Sequence, residues 1–180
     1  PVSAVGVSAK VWCMRYLICG GGGGGPHGGR GAGESWVVCG RPTGVPAEFR
    51  LSGLFPAAGG GGTQGFVRKG IDGSAVRSDF SGWSVSNAGD VNGDGFDDLI
   101  IGADGADPNG ESGAGESYVV FGRTTGFPAA FQLSSLFPAA GGDGTQGFVL
   151  KGIDGSAFRS DFSGWSVSNA GHVNGDGIED

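Results

Sequence analysis

Long hydrophobic runs are missing from this chain. Nowhere do apolar residues accumulate to the roughly 20 that a bilayer crossing needs, so no membrane span is expected within it. The first 20 residues also lack the charged, then apolar, then small-residue order of a secretion leader. Basic residues are scarce: eleven Lys and Arg stand against eighteen Asp and Glu, for a net charge of −7. Nucleic-acid phosphates are held by Lys and Arg, so nucleic acid is not an expected partner, whereas cations suit an acidic surface. Histidine is nearly absent, with two residues, and His27 lies in a glycine loop where no role is expected of it. The three cysteines, Cys13, Cys19 and Cys39, all fall in the first 39 residues.

What the chain has in excess is glycine, 42 residues beside 8 prolines. Without a period that composition signals low complexity, but a period exists. Residues 33–98 align with 115–180 at an offset of 82 without a gap, and 13 of the 66 paired positions differ. At the same offset Leu17-Ile18-Cys19-Gly20 falls on Leu99-Ile100-Ile101-Gly102, and Pro26 on Pro108. Residues 1–15 do not fit, because Lys10 to Arg15 stand where the second copy has Asn92 to Asp97. Such duplication marks an array of one supersecondary unit. Cys19 and Cys39 fall opposite Ile101 and Phe121, so the cysteines read as buried apolar residues; a disulfide framework would be expected to recur with the repeat.

Between the glycine clusters short apolar runs recur, bounded by turn residues. Phe80 to Asn87 alternates Ser81, Trp83 and Val85 with Gly82, Ser84 and Ser86 and is expected to form a strand. Residues 98–102, 116–121 and 147–152 are expected to form three more. Four antiparallel strands compose one propeller blade. Residues 123–146 are too long for a hairpin turn and are expected to be an insertion with an extra short strand or helical turn around Phe131 to Phe137. Trp83, Trp165, Phe80 and Phe162 are expected to pack between blades, the other reading being platforms for carbohydrate.

The densest chemistry lies in Asp90-Val91-Asn92-Gly93-Asp94-Gly95-Phe96-Asp97-Asp98, which returns as His172 to Asp180. Side-chain oxygens at positions 1, 3, 5 and 9 (Asp90, Asn92, Asp94, Asp98) with the Phe96 carbonyl at position 7 can wrap a hard divalent cation. Calcium takes about six to eight such oxygens, so Ca2+ is the expected cofactor. The other reading is a solvated acidic turn, since Asn-Gly and Asp-Gly are hairpin signals in their own right. An EF-hand is excluded, because position 12 is Ile101 in an expected strand instead of a bidentate Glu. In the later copy Asn174, Asp176, the Ile178 carbonyl and Asp180 are the candidate ligands, with His172 replacing the first carboxylate. Two enzyme-like patterns fail their context. Gly142 to Gly147 fits G-x-G-x-x-G but precedes an expected strand, and Gly82 to Ser86 lacks the last glycine of a nucleophile elbow.

Three stretches together resemble the FG-GAP repeats of the integrin alpha-chain propeller and its bacterial relatives. They are Phe80-Ser81-Gly82-Trp83 with the residues up to Asp90, then Asp90 to Ala103, then Gly113-Ala114-Gly115-Glu116-Ser117-Tyr118-Val119-Val120-Phe121-Gly122. Two departures are that the Phe-Gly pair is split by Ser81 and that the 82-residue repeat exceeds the family's usual length. The resemblance implies an all-β architecture of β-propeller blades, here an incomplete propeller. It divides the chain into an unassigned segment 1–15, a partial repeat 16–79 lacking its calcium loop, a complete repeat 80–161, and the start of a third at 162–180. It further implies an extracellular or cell-surface adhesion module without catalytic activity, binding a protein or glycan through its loops and continued by further repeats of a longer chain. A noncatalytic accessory domain of a secreted hydrolase and a purely structural, calcium-stiffened array are the alternatives.

Overall fold

The computed structural model describes residues 16–23, 31–40, 47–71, 78–156 and 160–180; Cys13, Pro26, His27 and the segment 1–15 lie outside them. Eight strands form: β1 (Tyr16–Gly21), β2 (Glu34–Cys39), β3 (Gly65–Lys69), β4 (Ser84–Gly89), β5 (Asp98–Ala103), β6 (Glu116–Val120), β7 (Ala130–Gln132) and β8 (Gly147–Lys151). No α-helix occurs among the described residues, and no helix is long and apolar enough to cross a membrane. The helical pieces among the described residues are 3-10 turns; four pair at the repeat offset, Leu51–Leu54 with Leu133–Leu136 and Pro56–Ala58 with Pro138–Ala140, and a further one spans Pro108–Gly110.

The strands make two four-stranded sheets, ordered β1-β2-β3-β7 and β4-β5-β6-β8, which do not close into a ring. The second sheet is antiparallel throughout, as expected of a blade. Its four strands are not consecutive, however. β7 leaves its own repeat and pairs in parallel with β3 of the repeat before it, Val67 opposite Ala130 and Lys69 opposite Gln132. The 123–146 segment thus holds both a strand and 3-10 turns, and it joins the two sheets instead of decorating one. β2 and β6 are buried along nearly their whole length because both of their faces are covered, with Glu34, Ser35, Glu116 and Ser117 buried beside the apolar residues that follow. Val37 and Phe66 of the first sheet meet Leu99 of the second. The other face of each sheet packs on its own repeat's turns, Val38 and Val67 on Leu54, and Tyr118 and Val120 on Leu133 and Leu136.

Two expectations need correction. The strand expected from Phe80 begins only at Ser84. Phe80 has φ 52° and Gly82 φ 85°, and Trp83 N–H closes a turn on the Phe80 carbonyl at 2.9 Å, so the apparent alternation is produced by a turn. Phe162 repeats this left-handed geometry with φ 50°. The cysteine reading holds for burial but not for chemistry: Cys39 is 5% exposed and is disulfide-bonded, while Cys19 is a half-buried free thiol.

Consecutive repeats are stitched by a bond pattern that recurs at the repeat offset. Phe80 N–H donates to Gly31 and Ser81 N–H to Ala32; Phe162 N–H donates to Gly113 and Ser163 N–H to Ala114. Gly82 N–H donates to the Gly102 carbonyl at 2.8 Å. Backbones approach so closely here that a Cβ at Gly102 would lie 1.9 Å from the Gly164 carbonyl oxygen. Gly102→Ala is therefore expected to separate the third repeat from the second sheet and lower the melting temperature. An unchanged melting curve by circular dichroism would show that this contact carries no stability.

Candidate metal centre

The candidate loop joins β4 to β5, and hydrogen bonding within nine residues gives it shape. Asn87 opens it: its Oδ1 accepts from Gly89 N–H at 2.6 Å, where a bulge interrupts the β4–β5 register. Asp90 follows, with Oδ1 accepting from Asp94 N–H at 2.9 Å and Oδ2 from Gly95 N–H at 2.7 Å. Asn92 Oδ1 shares the Asp94 N–H at 2.9 Å, while its Nδ2 donates to Asp94 Oδ2 at 2.9 Å. Asp94 Oδ1 in turn accepts from Phe96 N–H at 2.9 Å. Gly93 and Gly95, with φ of 73° and 88°, take the left-handed turns that let side-chain oxygens and backbone N–H groups face one another.

Asp98 closes the loop and differs from the others in being fully buried. Its Oδ2 accepts from Val91 N–H at 3.0 Å and its Oδ1 from Gly122 N–H at 2.8 Å, fastening both loop ends to the chain leaving β6. Burial pushes its pKa up to about 6, opposed by those two N–H donors and reinforced by the negative Asp94 and Asp90 nearby. Burial also raises Asp104. A carboxyl group whose pKa is higher folded than unfolded binds its proton more tightly in the folded chain. Stability therefore rises as pH falls from above 6 towards the ordinary carboxylate value near 4. In the presence of a chelator the melting temperature is expected to be higher at pH 5 than at pH 7. A flat or falling trend across that interval would contradict the assignment.

The sequence-named residues of the first site, Asp90, Asn92, Asp94 and Asp98, thus share one loop. Phe96 contributes its N–H to the Asp94 carboxylate, and its side chain is exposed. Asp97 turns the other way and accepts from Asn87 Nδ2 at 3.0 Å. Sequence reasoning missed this brace, although its signal recurs one repeat later, where Asn169 Nδ2 donates to Glu179 at 2.6 Å.

The second loop keeps the backbone plan but differs in its side chains: Asn174 Nδ2 donates to Asp180 Oδ1 at 3.2 Å instead of to the position-5 carboxylate, and Asp180 is exposed where Asp98 is buried. Asp180 Oδ2 accepts from Val173 N–H at 2.8 Å, Asn174 Oδ1 from Asp176 N–H at 2.9 Å, and Asp176 Oδ1 from Ile178 N–H at 2.8 Å. His172, however, sets its Nδ1 2.8 Å from the Ile178 carbonyl oxygen. A carbonyl only accepts, so that ring nitrogen is the donor and competes for the oxygen that a cation would need. The two loops are neighbours: Gly89 lies against Glu179, and Gly93 faces Ile178.

Donor chemistry suits a hard cation, with carboxylate and amide oxygens and no sulfur or imidazole in the first loop. Each engaged oxygen accepts one or two N–H groups and keeps acceptor capacity. Even so, no group of three or more His, Cys, Asp or Glu side chains among the described residues is drawn together as a metal shell. Trp83 and Trp165 meet across the repeat boundary with centroids 5.6 Å apart and ring planes tilted by 46°. They remain 54% and 58% exposed, so neither is core.

Residues 81–120 match the FG-GAP repeat family model. The match spans the Ser81–Trp83 turn, β4, the loop, β5 and β6, and stops at Val120, just ahead of the 123–146 segment. Among curated proteins nothing matches the chain. The chain therefore contains an FG-GAP repeat within an all-β fold, a repeat of the kind found in β-propeller-like binding modules.

Proposed function

We propose that this chain is part of a calcium-ordered, propeller-type binding module of the cell surface or extracellular space, without catalytic activity, whose loops present a surface to a protein or glycan partner. The observation that carries the reading is that Asp90, Asn92, Asp94 and Asp98 share one nine-residue loop inside the matched repeat, their side-chain oxygens held in place by backbone N–H groups. These oxygens accept from backbone N–H groups and from the Asn92 amide. A divalent cation bound by Asp90, Asn92, Asp94, the Phe96 carbonyl and Asp98 would set two positive charges against three carboxylates and stiffen the link between β4 and β5. The loop at Asn174, Asp176, Ile178 and Asp180 is the weaker site, because the His172 ring holds the Ile178 carbonyl.

Surface-exposed loops on rigid strands are where binding residues concentrate, and FG-GAP repeats occur in extracellular and surface proteins. The test is a calorimetric titration of the chain with calcium and, separately, magnesium. Binding selective for calcium supports the reading. Equal heats for the two ions, or none, would remove the metal from the proposal and leave a solvated acidic turn.

A further inference from the structure

Asp98 is the one candidate ligand whose carboxylate reaches outside its loop. Among the described residues, the side-chain oxygens of Asp90, Asn92 and Asp94 accept only from groups within residues 92–96. Asp98 Oδ1 accepts instead from Gly122 N–H at 2.8 Å, 24 residues further along the chain. Gly122 is held close to the loop: a Cβ there would lie 2.7 Å from both Phe96 Cβ and the Asp97 carbonyl oxygen. Asp98 is also the first residue of β5, so the end of the loop, the strand and the chain leaving β6 meet at one buried carboxylate.

Gly122 leads into the 123–146 segment that joins the two sheets. Arg123 donates from Nη2 to Gln146 Oε1 at 3.2 Å and lies over the Phe127 ring at 4.6 Å. Phe127 stacks on Phe66 of β3 at 4.3 Å, and the Arg68 guanidinium covers the same ring at 4.5 Å. Beyond Phe127, β7 takes its place beside β3, with Val67 N–H donating to the Ala129 carbonyl at 2.9 Å. Leu99, next to Asp98 in β5, packs in the same cluster as Val37 and Phe66, with Phe127 against it. Two routes thus connect the loop to the junction between the sheets, one through Gly122 and Arg123 and one through Leu99.

We propose that Asp98 couples the metal loop to the β3–β7 junction, so that the loop, when it holds a divalent cation, fastens the two sheets more tightly. The coupling rests on the calcium reading of the loop and adds to it what occupancy of the loop changes elsewhere. Each carboxylate oxygen has two acceptor positions, so Asp98 can keep the Gly122 N–H while it ligates a cation. A carboxylate held in one orientation fixes the position of Gly122 and with it the start of the 123–146 segment. Coupling of this kind is reciprocal: a firm junction raises the affinity of the loop by the same factor, typically about 5–150-fold.

Hydrogen–deuterium exchange of the chain with and without calcium reads the junction. Calcium is expected to slow exchange in β3 and β7 by about 5-fold or more relative to β1, the far edge of the first sheet. Calorimetry reads the loop. Phe127→Leu removes the stacked ring but no oxygen ligand, and is expected to weaken calcium binding by a similar factor. Leu54→Ala is the control, because Leu54 packs on Val38 and Val67 at the other face of the first sheet and lies on neither route. This variant is expected to lose stability and keep the parent's calcium affinity. Should Phe127→Leu not fold, the exchange measurement on the parent decides. Calcium binding without extra slowing in β3 and β7 overturns the coupling and leaves the metal site standing. Equal weakening in both variants does the same, by tracing the effect to stability alone. No calcium heat in the parent overturns the metal reading and the coupling with it.

Discussion

Asp94→Ala is expected to remove most of the chain's response to calcium while leaving the strands in place. Asp94 sits at the middle of the candidate site, joined to Asn92 Nδ2 and Phe96 N–H at 2.9 Å each and lending its own N–H to Asp90 and Asn92. Its carboxylate is exposed, and no core residue rests on it. A cation that binds only the folded chain stabilises it by about 2.7 kcal/mol when present at about 100 Kd. Groups that only hydrogen-bond a metal's ligands are worth roughly 10–100-fold in affinity, so loss of a direct carboxylate ligand is expected to exceed that range. Calorimetry on parent and variant reads the affinity, and melting with and without calcium reads the stabilisation. Asp97→Asn is the control. Asp97 braces Asn87 and points away from the loop interior, so calcium affinity is expected to change by a few-fold at most. Equal losses in both variants would mean that general negative charge, and no defined site, attracts the ion.

Much of this arrangement was legible in the sequence because it is local. The 82-residue period placed matching strands, and Asp98 to Gly102, Glu116 to Phe121 and Gly147 to Gly152 each came within a residue of β5, β6 and β8. The loop was legible because most of its oxygens accept from N–H groups two to seven residues away; the exception is Asp98 Oδ1, which accepts from Gly122. What escaped was long-range or masked by a second pattern. β7 pairs with a strand more than 60 residues earlier, and nothing in Ala130-Phe131-Gln132 distinguishes that parallel junction from an added strand in its own sheet. Ser81, Trp83 and Val85 alternate as a strand would, but Phe80 and Gly82 take positive φ, which a period-two count does not detect. Residues 166–171 repeat the β4 sequence unchanged yet form no strand, so these six residues do not set a strand by pattern alone. A strand needs a partner as well as a pattern.

Phe131→Ala is expected to be the most damaging single substitution in the chain, at about 3–5 kcal/mol. Phe131 is 4% exposed, and it belongs to two structures at once. On its own repeat it fills the cluster of Ile101, Tyr118, Leu133 and Leu136. Across the boundary β7 sets it opposite Arg68 on β3, where the buried guanidinium lies 5.1 Å from the Phe131 ring centre and 4.5 Å from that of Phe127. Phe127 and Phe131 meet edge to face at 6.0 Å, and Arg123 lies over Phe127 at 4.6 Å. Removing the ring therefore opens a cavity in the second sheet and strips an aromatic wall from a charged group that is no longer solvated, two costs that add in the same direction. Phe49, the same residue one repeat earlier, is half-buried and has no such strand partner among the described residues. Phe49→Ala is expected to cost clearly less, and that contrast isolates the junction from the generic loss of a phenyl ring. Urea unfolding of the two variants measures it. Equal midpoints would show that the two sheets stand independently and that β7 is an appendage; a far lower midpoint for Phe131→Ala would make the 123–146 segment the fastening between the sheets.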